Sequence, residues 1–379
     1  MNHTDKDNFP SPCWVLEETL LKKNLELMQK IKNKTDAKVL LALKGYALWK
    51  SFPVIKPYLD GCCASGLYEA KLAHETFGKE VHTYSPAFKE EEIEEIAQIS
   101  HHLVFNSPAQ FKRFALHAKK INPELSLGLR LNPEYSASPK EIYNPCGLNS
   151  RLGTTKENFD ESVLEECEGF HFHALCEQDS DALEQVLKNF EKKFGIYIPQ
   201  MKWINFGGGH HITRKGYDVK KLITLIRDFK ERYDVEVYLE PGEAIGWGTG
   251  TLISTVLDIV HNGMDIAILD SSAEAHMPDT IIMPYRADVR GAGRAGEKAH
   301  TYRLAGNTCL AGDIMGDYSF DAPLNIGDKV IFEDQMHYTM VKATTFNGIK
   351  LPSIAIKKED GTVEVVREFG YEDFKNRLS

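Results

Sequence analysis

Val235-Glu236-Val237-Tyr238-Leu239-Glu240-Pro241-Gly242 is the stretch on which the fold turns. A β-prone run ends in a carboxylate, and a proline and a glycine then stop it. Seven more short apolar runs precede it: Val39–Leu43, Leu59–Ala64, Val81–Tyr84, Leu103–Phe105, Leu125–Leu131, Phe170–Ala174 and Trp203–Phe206. Helical-period segments lie between several of them, at Glu90–Ile99, Pro108–Ile121, Asp181–Phe194 and Val219–Arg232. Eight strand–helix units within roughly 200 residues point to an α/β fold with a closed (β/α)8 TIM-like barrel. The periodicity alone also permits an open doubly wound sheet.

Past residue 245 the texture changes. Glycines become frequent, the helical period fades, and short alternating runs take over: Leu252–Ile259, Ile266–Leu269, Lys329–Phe332, Tyr338–Thr345, Ile354–Lys357 and Val363–Arg367. These runs predict a C-terminal all-β domain. Cys13–Leu16 can supply it with a strand, and a helix near Glu17–Lys34 then leads into the barrel. The expected division is 1–20 with the β domain, 21–245 as barrel and 246–379 as β domain.

Composition narrows the function. A chain of 379 residues with 42% hydrophobic and 26% charged residues is neither disordered nor a small stapled scaffold. No apolar run reaches the ~18 residues of a membrane-spanning helix. The opening Met1-Asn2-His3-Thr4-Asp5-Lys6 is polar, so no secretory signal is expected. With 45 basic and 55 acidic residues the net charge is −10. That disfavours nucleic acid and acidic membranes and is compatible with a small cationic substrate. Seven cysteines without a Cys-x-x-Cys pair, two of them adjacent at Cys62-Cys63, read as reduced thiols in the cytoplasm.

In such a barrel the chemistry sits at the carboxyl ends of the strands. Reading those ends collects Lys44, Ser65, Tyr84-Ser85, Asn106, Arg130, His173, Gly207-Gly208-Gly209 and Glu240-Pro241-Gly242-Glu243. A lysine in an apolar mouth has a lowered pKa and can condense with a carbonyl; a strand-end lysine can equally reach into solvent. Consecutive glycines let backbone N–H groups wrap an anion, or simply turn the chain. A carboxylate at Glu240 needs a partner, either a protonated ring nitrogen or a rim cation such as Arg130. His171 and His173 have zinc-ligand spacing but lack convincing further ligands, so no metal is expected.

The order Lys44, His173, Gly207–Gly209, Glu240 resembles the fold-type III pyridoxal-phosphate decarboxylases, with their alanine racemase-like barrel. Two further segments extend the resemblance. Gly306-Asn307-Thr308-Cys309-Leu310-Ala311-Gly312-Asp313 is similar to the family's cysteine segment, and Tyr338 with Phe346-Asn347-Gly348 to its tyrosine and Phe-Asn-Gly segment. The resemblance implies that Lys44 carries pyridoxal 5'-phosphate, His173 stacks on its ring and Glu240 faces its pyridinium nitrogen. Gly207, Gly208, Gly209, Gly242 and Tyr338 would hold the phosphate, and Cys309 would donate a proton. It also implies a homodimer with sites at the interface, the cysteine and the tyrosine coming from opposite chains.

One departure narrows the branch. The arginine that the family places soon after Glu-Pro-Gly is Glu243 here, and Asp270–Asp279 is acidic. With Ser150-Arg151-Leu152-Gly153, this looks like the branch that decarboxylates carboxylated polyamines to norspermidine or spermidine. Glu243, Glu274, Asp279 and Asp313 would then hold the substrate's amines. A decarboxylase of diaminopimelate, ornithine or arginine is the alternative. A racemase suits Cys309 less well, and Lys44 and Cys309 argue against a catalytically silent relative.

Overall fold

The computed structural model describes residues 9–138 and 140–379. The polar opening read above as carrying no secretory signal lies outside them. The chain divides into two units: Lys23–Ile245, and the N-terminal segment up to Lys22 with Gly246–Ser379.

The first unit is the closed parallel barrel. Its strands are β2 (Lys38–Ala42), β3 (Gly61–Ala64), β4 (Glu80–Tyr84), β5 (His102–Phe105), β6 (Ser126–Arg130), β7 (Gly169–His171), β8 (Trp203–Asn205) and β9 (Glu236–Leu239). The ring closes where Lys38 and Val39 of β2 pair with Tyr238 and Leu239 of β9. Between strands, helices form where the apolar spacing is helical. Ser180–Phe194 buries Leu183, Val186, Leu187, Phe190 and Phe194 along one stripe and carries Lys192 and Lys193 in its last turn, facing the negative end of the helix dipole. Its first N–H is taken by the Asp179 carboxylate at 2.7 Å. Pro108–Ile121 begins behind Ser107, whose Oγ accepts the Gln110 N–H at 3.2 Å. Trp203 fills a space that small neighbours leave open. A Cβ at Gly169 would meet the indole at 2.1 Å and one at Gly128 at 2.4 Å. The indole N–H donates to Ser126 Oγ at 2.9 Å, so this large ring enters the core with its polar atom satisfied.

All eight apolar runs are strands, with shifts of one to a few residues at their ends. The largest shift is in β7, which stops at His171; Phe172, His173 and Ala174 belong to the loop that follows.

The second unit is a mixed sheet. Its strands are β1 (Cys13–Glu17), β10 (Gly250–His261), β11 (Asp265–Leu269), β12 (Gly293–Arg294), β13 (His300–Ala305), β14 (Ile314–Phe320), β15 (Lys329–Glu333), β16 (Ser353–Lys357) and β17 (Val363–Arg367). Their order is β12-β14-β13-β11-β10-β1-β16-β17, with β15 also paired to β10. β1 lies antiparallel to β10 and parallel to β16, so residues from the start of the chain sit inside a sheet made by its end. Phe9, Cys13, Val15, Ile253, Ile331 and Ala355 form a core cluster there. The run Tyr338–Thr345 is not a strand. Tyr338–Val341 makes one helical turn closed by the Lys342 N–H on Tyr338 O, and Lys342 then reaches Asp279. Tertiary contacts override its β-prone composition. β13 and β14 were not read from the sequence; Gly316 and Asp317 break the alternation of β14.

All seven cysteines are free. Among the described residues, no helix is long and apolar enough to cross a membrane.

Candidate active site

The barrel residues named from the sequence all come at or just beyond the carboxyl ends of strands. Lys44 follows β2 in the turn Leu43-Lys44-Gly45. It remains accessible from the barrel mouth, yet protein surrounds its amine. That desolvation, and the Arg130 guanidinium, lower its pKa from the ordinary value. Cys63, Glu240 and Cys176 act on it in the opposite sense, so these groups share one region with it.

Glu240, just past β9, is buried and held by two donors. Asn205 Nδ2 donates to Oε1 at 2.7 Å, and His171 Nε2 stands 3.1 Å from Oε2. Burial alone would raise this carboxyl; the charge His171 carries when protonated and its hydrogen bond, then His82 and the Asn205 amide, outweigh it and hold the pKa at about 2. Glu240 is therefore an anion at neutral pH, and its partners are neutral donors rather than Arg130. Burial lowers the His171 imidazole from its ordinary value despite Glu240, with Arg130 and Lys44 adding to that effect.

His173 presents its ring at the same mouth. Its Nδ1 accepts the Gly208 N–H at 2.9 Å, which places the ring proton on Nε2 and fixes the ring's tilt. Burial, then Lys44 and Arg130, hold its pKa well below the usual histidine range, so it is a neutral flat face.

The triple glycine packs against these groups. Gly207 and Gly209 have φ of 69° and 81°, the left-handed region. A Cβ at Gly207 would meet Phe172 O at 2.3 Å, and one at Gly209 would meet Leu175 O at 2.1 Å. The expectation that all three glycine N–H groups grip an anion needs correction. Gly207 N–H donates to Asn205 Oδ1 at 2.8 Å and Gly208 N–H to His173, so the first two fix the site from within. Gly242 is equally confined, since a Cβ there would meet Ala42 O at 2.7 Å. Glu243 follows it, half-buried, and its charge acts on Cys176.

Sequence reading did not give these roles to four residues. His171 and Asn205 hold Glu240. Tyr84 stacks on His171 with ring centroids 5.6 Å apart, and the Arg130 guanidinium lies 4.6 Å from the Tyr84 ring. The one available signal was the His-x-His spacing, which puts both imidazoles on the inner side.

The second unit carries the remaining candidates. Cys309 is exposed, so it is not a core thiol; its N–H donates to Asn347 Oδ1 at 2.7 Å. The Phe-Asn-Gly segment thus holds the backbone of the cysteine segment. Asp313, expected among the amine ligands, has both oxygens committed to the protein. Oδ1 accepts from Ser272 Oγ at 3.0 Å, Ala273 N at 2.7 Å and Glu274 N at 3.3 Å; Oδ2 accepts from Thr308 Oγ1 at 2.6 Å and Thr308 N at 3.2 Å. It ties two loops together and has little capacity left for a ligand. Asp279 is paired with Lys342 Nζ at 2.5 Å, beside the Tyr338 ring. Glu274 differs from both. Its Oε2 is shut from solvent without a hydrogen bond, and burial with the Asp313 charge raises its pKa. A cation would satisfy that oxygen.

Comparison with known proteins bears on this set of groups. The family model described as "Pyridoxal-dependent decarboxylase, C-terminal sheet domain" matches residues 26–335. A carboxynorspermidine/carboxyspermidine decarboxylase of Campylobacter jejuni is 55% identical, covering 98% of this chain and 99% of that protein. A carboxyaminopropylagmatine decarboxylase of Synechocystis is 47% identical, covering 98% and 96%. A crystal structure of carboxynorspermidine decarboxylase from Campylobacter jejuni in complex with norspermidine superposes with a TM-score of 0.91 at 53% identity, covering 97% of this chain and 99% of that one.

Proposed function

From the premise that the chain belongs to the pyridoxal-dependent decarboxylases, we propose that it decarboxylates carboxynorspermidine, carboxyspermidine or both, releasing norspermidine or spermidine. The single observation that carries the class of chemistry is Glu240: an ionised, buried carboxylate at a barrel mouth that also holds a lysine of lowered pKa. The 55% identity over almost the whole chain supports the substrate.

The residues present fit pyridoxal phosphate. Lys44 Nζ is an amine of lowered pKa, Glu240 a fixed anion for a protonated ring nitrogen, and His173 a neutral plane. At Gly207, Gly209 and Gly242 a side chain would run into neighbouring backbone carbonyls, so glycine is what lets these turns pack at the mouth. Lys44 would hold the cofactor, and Gly209, Gly242 and Tyr338 its phosphate. Once bound, the group supplies an electron sink for the pair left behind when the substrate carboxylate departs as CO₂. Glu240 would keep the cofactor's ring nitrogen protonated by staying ionised. His173, its imidazole fixed by the Gly208 N–H, would offer the ring a flat face. Cys309 Sγ would give its proton to the carbon that lost CO₂ and regain one from solvent, to which it is exposed. Glu274 and Glu243 take the distal amines, with Asp279 assisting if Lys342 yields it.

The reading includes a homodimer whose sites combine Cys309 and Tyr338 from opposite chains, in the cytoplasm, where seven free thiols stay reduced. The enzyme acts on a cationic polyamine and not on nucleic acid or membrane, consistent with its charge of −10. The test is CO₂ release from a panel of carboxynorspermidine, carboxyspermidine, carboxyaminopropylagmatine, diaminopimelate, ornithine and arginine. Highest kcat/KM on either of the first two supports the proposal. Preference for the third, for which the Synechocystis relative is named, moves the substrate to a guanidinium-ended polyamine; turnover of none removes it.

A further inference from the structure

The carboxylate at position 240 has a neighbour whose residue type packing alone does not explain. His171 is buried, its ring stacked on Tyr84 at 24° between planes. Phenylalanine would fill that space as well and leave no polar atom behind. The imidazole instead strands its Nδ1, which is shut from solvent without a hydrogen bond. What the histidine adds is Nε2, 3.1 Å from Glu240 Oε2. A carboxylate only accepts, so Nε2 carries the proton. The opposite oxygen takes the Asn205 amide at 2.7 Å, and Asn205 Oδ1 in turn takes the Gly207 N–H at 2.8 Å. One amide thereby links the glycine turn to the carboxylate.

We propose that His171 and Asn205 are positioning residues, a pair of neutral donors that orient Glu240 and keep its full negative charge available to the cofactor ring nitrogen. A lysine or arginine at either place would neutralise the carboxylate it was meant to orient. An apolar residue would leave a buried oxygen without a donor and favour the protonated acid. Neutral donors avoid both outcomes: each contributes a hydrogen bond without contributing charge. The inference rests on the decarboxylase reading for the identity of the ring.

The test uses wild type, His171→Phe and His171→Gln, each loaded with pyridoxal phosphate labelled with ¹⁵N in the ring. His171→Phe keeps the stack on Tyr84 and removes the donor; His171→Gln replaces the donor with an amide. In wild type and His171→Gln the ring nitrogen should show the shift of a protonated pyridine. In His171→Phe it should move toward the unprotonated value, cofactor affinity should fall on the order of tenfold, and kcat should fall on the order of a hundredfold with KM little changed. Unchanged nitrogen protonation in His171→Phe overturns the proposal, as does a His171→Gln that behaves like the phenylalanine variant. If His171→Phe does not fold, Asn205→Ala takes its place with the same expected shift, and an unchanged shift there is equally fatal. Wild type that binds no pyridoxal phosphate would instead defeat the decarboxylase reading, so the two failures are distinct.

Discussion

Desolvation beside Arg130 raises the share of Lys44 that is neutral at physiological pH, which is the form a carbonyl needs. Lys44→Ala should therefore abolish turnover and leave no reducible adduct. Borohydride treatment followed by peptide mass spectrometry checks this, and a label retained on another lysine would move the assignment. Glu240→Gln keeps a hydrogen-bonding group of the same shape but removes the charge; turnover should fall on the order of a hundredfold. Steady-state assays decide it, and unchanged turnover would separate Glu240 from the chemistry. Cys309 is exposed, so Cys309→Ala should leave the thermal midpoint in place while slowing turnover on the order of a hundredfold. Stopped-flow absorbance with retained cofactor would locate the loss at proton delivery. Lys44 and Glu240 were legible because each is a chemically distinctive type at a barrel strand end, and Cys309 because its segment resembles that of a known family. His171 and Asn205 were not, because their use depends on which carboxylate they meet across three strands.

Among the elements, loops carry the most information. The Asp313 carboxylate gathers donors from Ser272, Ala273, Glu274 and Thr308, and so fixes both the turn bearing Glu274 and the segment bearing Cys309. Asp313→Ala leaves those buried donors unmatched and should cost about 3 kcal/mol of stability by urea unfolding. An amine ligand alone would instead affect KM and spare stability. The barrel strands were readable from short apolar runs ended by polar residues or glycine. Tyr338–Val341 was misread because its tyrosine, threonine and valine suit a strand equally well; contacts made by Lys342 and Thr344 decide otherwise. Asp279 and Asp313 illustrate the same limit. An acidic residue in a sequence does not show whether its charge is already matched.

For the whole molecule, buried histidines set the response to acid. Burial lowers His102, His171, His173, His210 and His276, with His210 and His276 at about 4. Their unfolded forms take a proton near the ordinary 6.5, whereas the folded forms resist it. Their contribution is therefore complete above about pH 6.5 and is lost as pH falls toward their folded values. For His210 and His276 the loss by about pH 5 is on the order of 2 kcal/mol each. The depressed carboxylates Glu80 and Glu240, held at about 2, add their own loss only below the ordinary carboxylate value of 4.5. The thermal midpoint should thus drop between pH 6.5 and 4.5, before the carboxylates titrate. A flat midpoint across that window, by circular dichroism, would mean the histidines are not held neutral.

The amino-acid sequence by itself determined eight strand–helix units, a β unit that borrows a strand from the start of the chain, and a resemblance to a decarboxylase family; closure of the ring, against an open sheet, came from the structure. Each of these rests on patterning along the chain: apolar runs of strand length, consecutive glycines, and reactive residue types in a particular order. Only the tertiary structure decided which acids are spent and which remain available. It placed two of the three glycine N–H groups on the protein itself, saturated Asp313, left Glu274 with an unmatched oxygen, and set neutral donors rather than a cation on Glu240. Most of those outcomes depend on hydrogen bonds between residues 35 to 69 positions apart, and no local pattern encodes which partner closes each one.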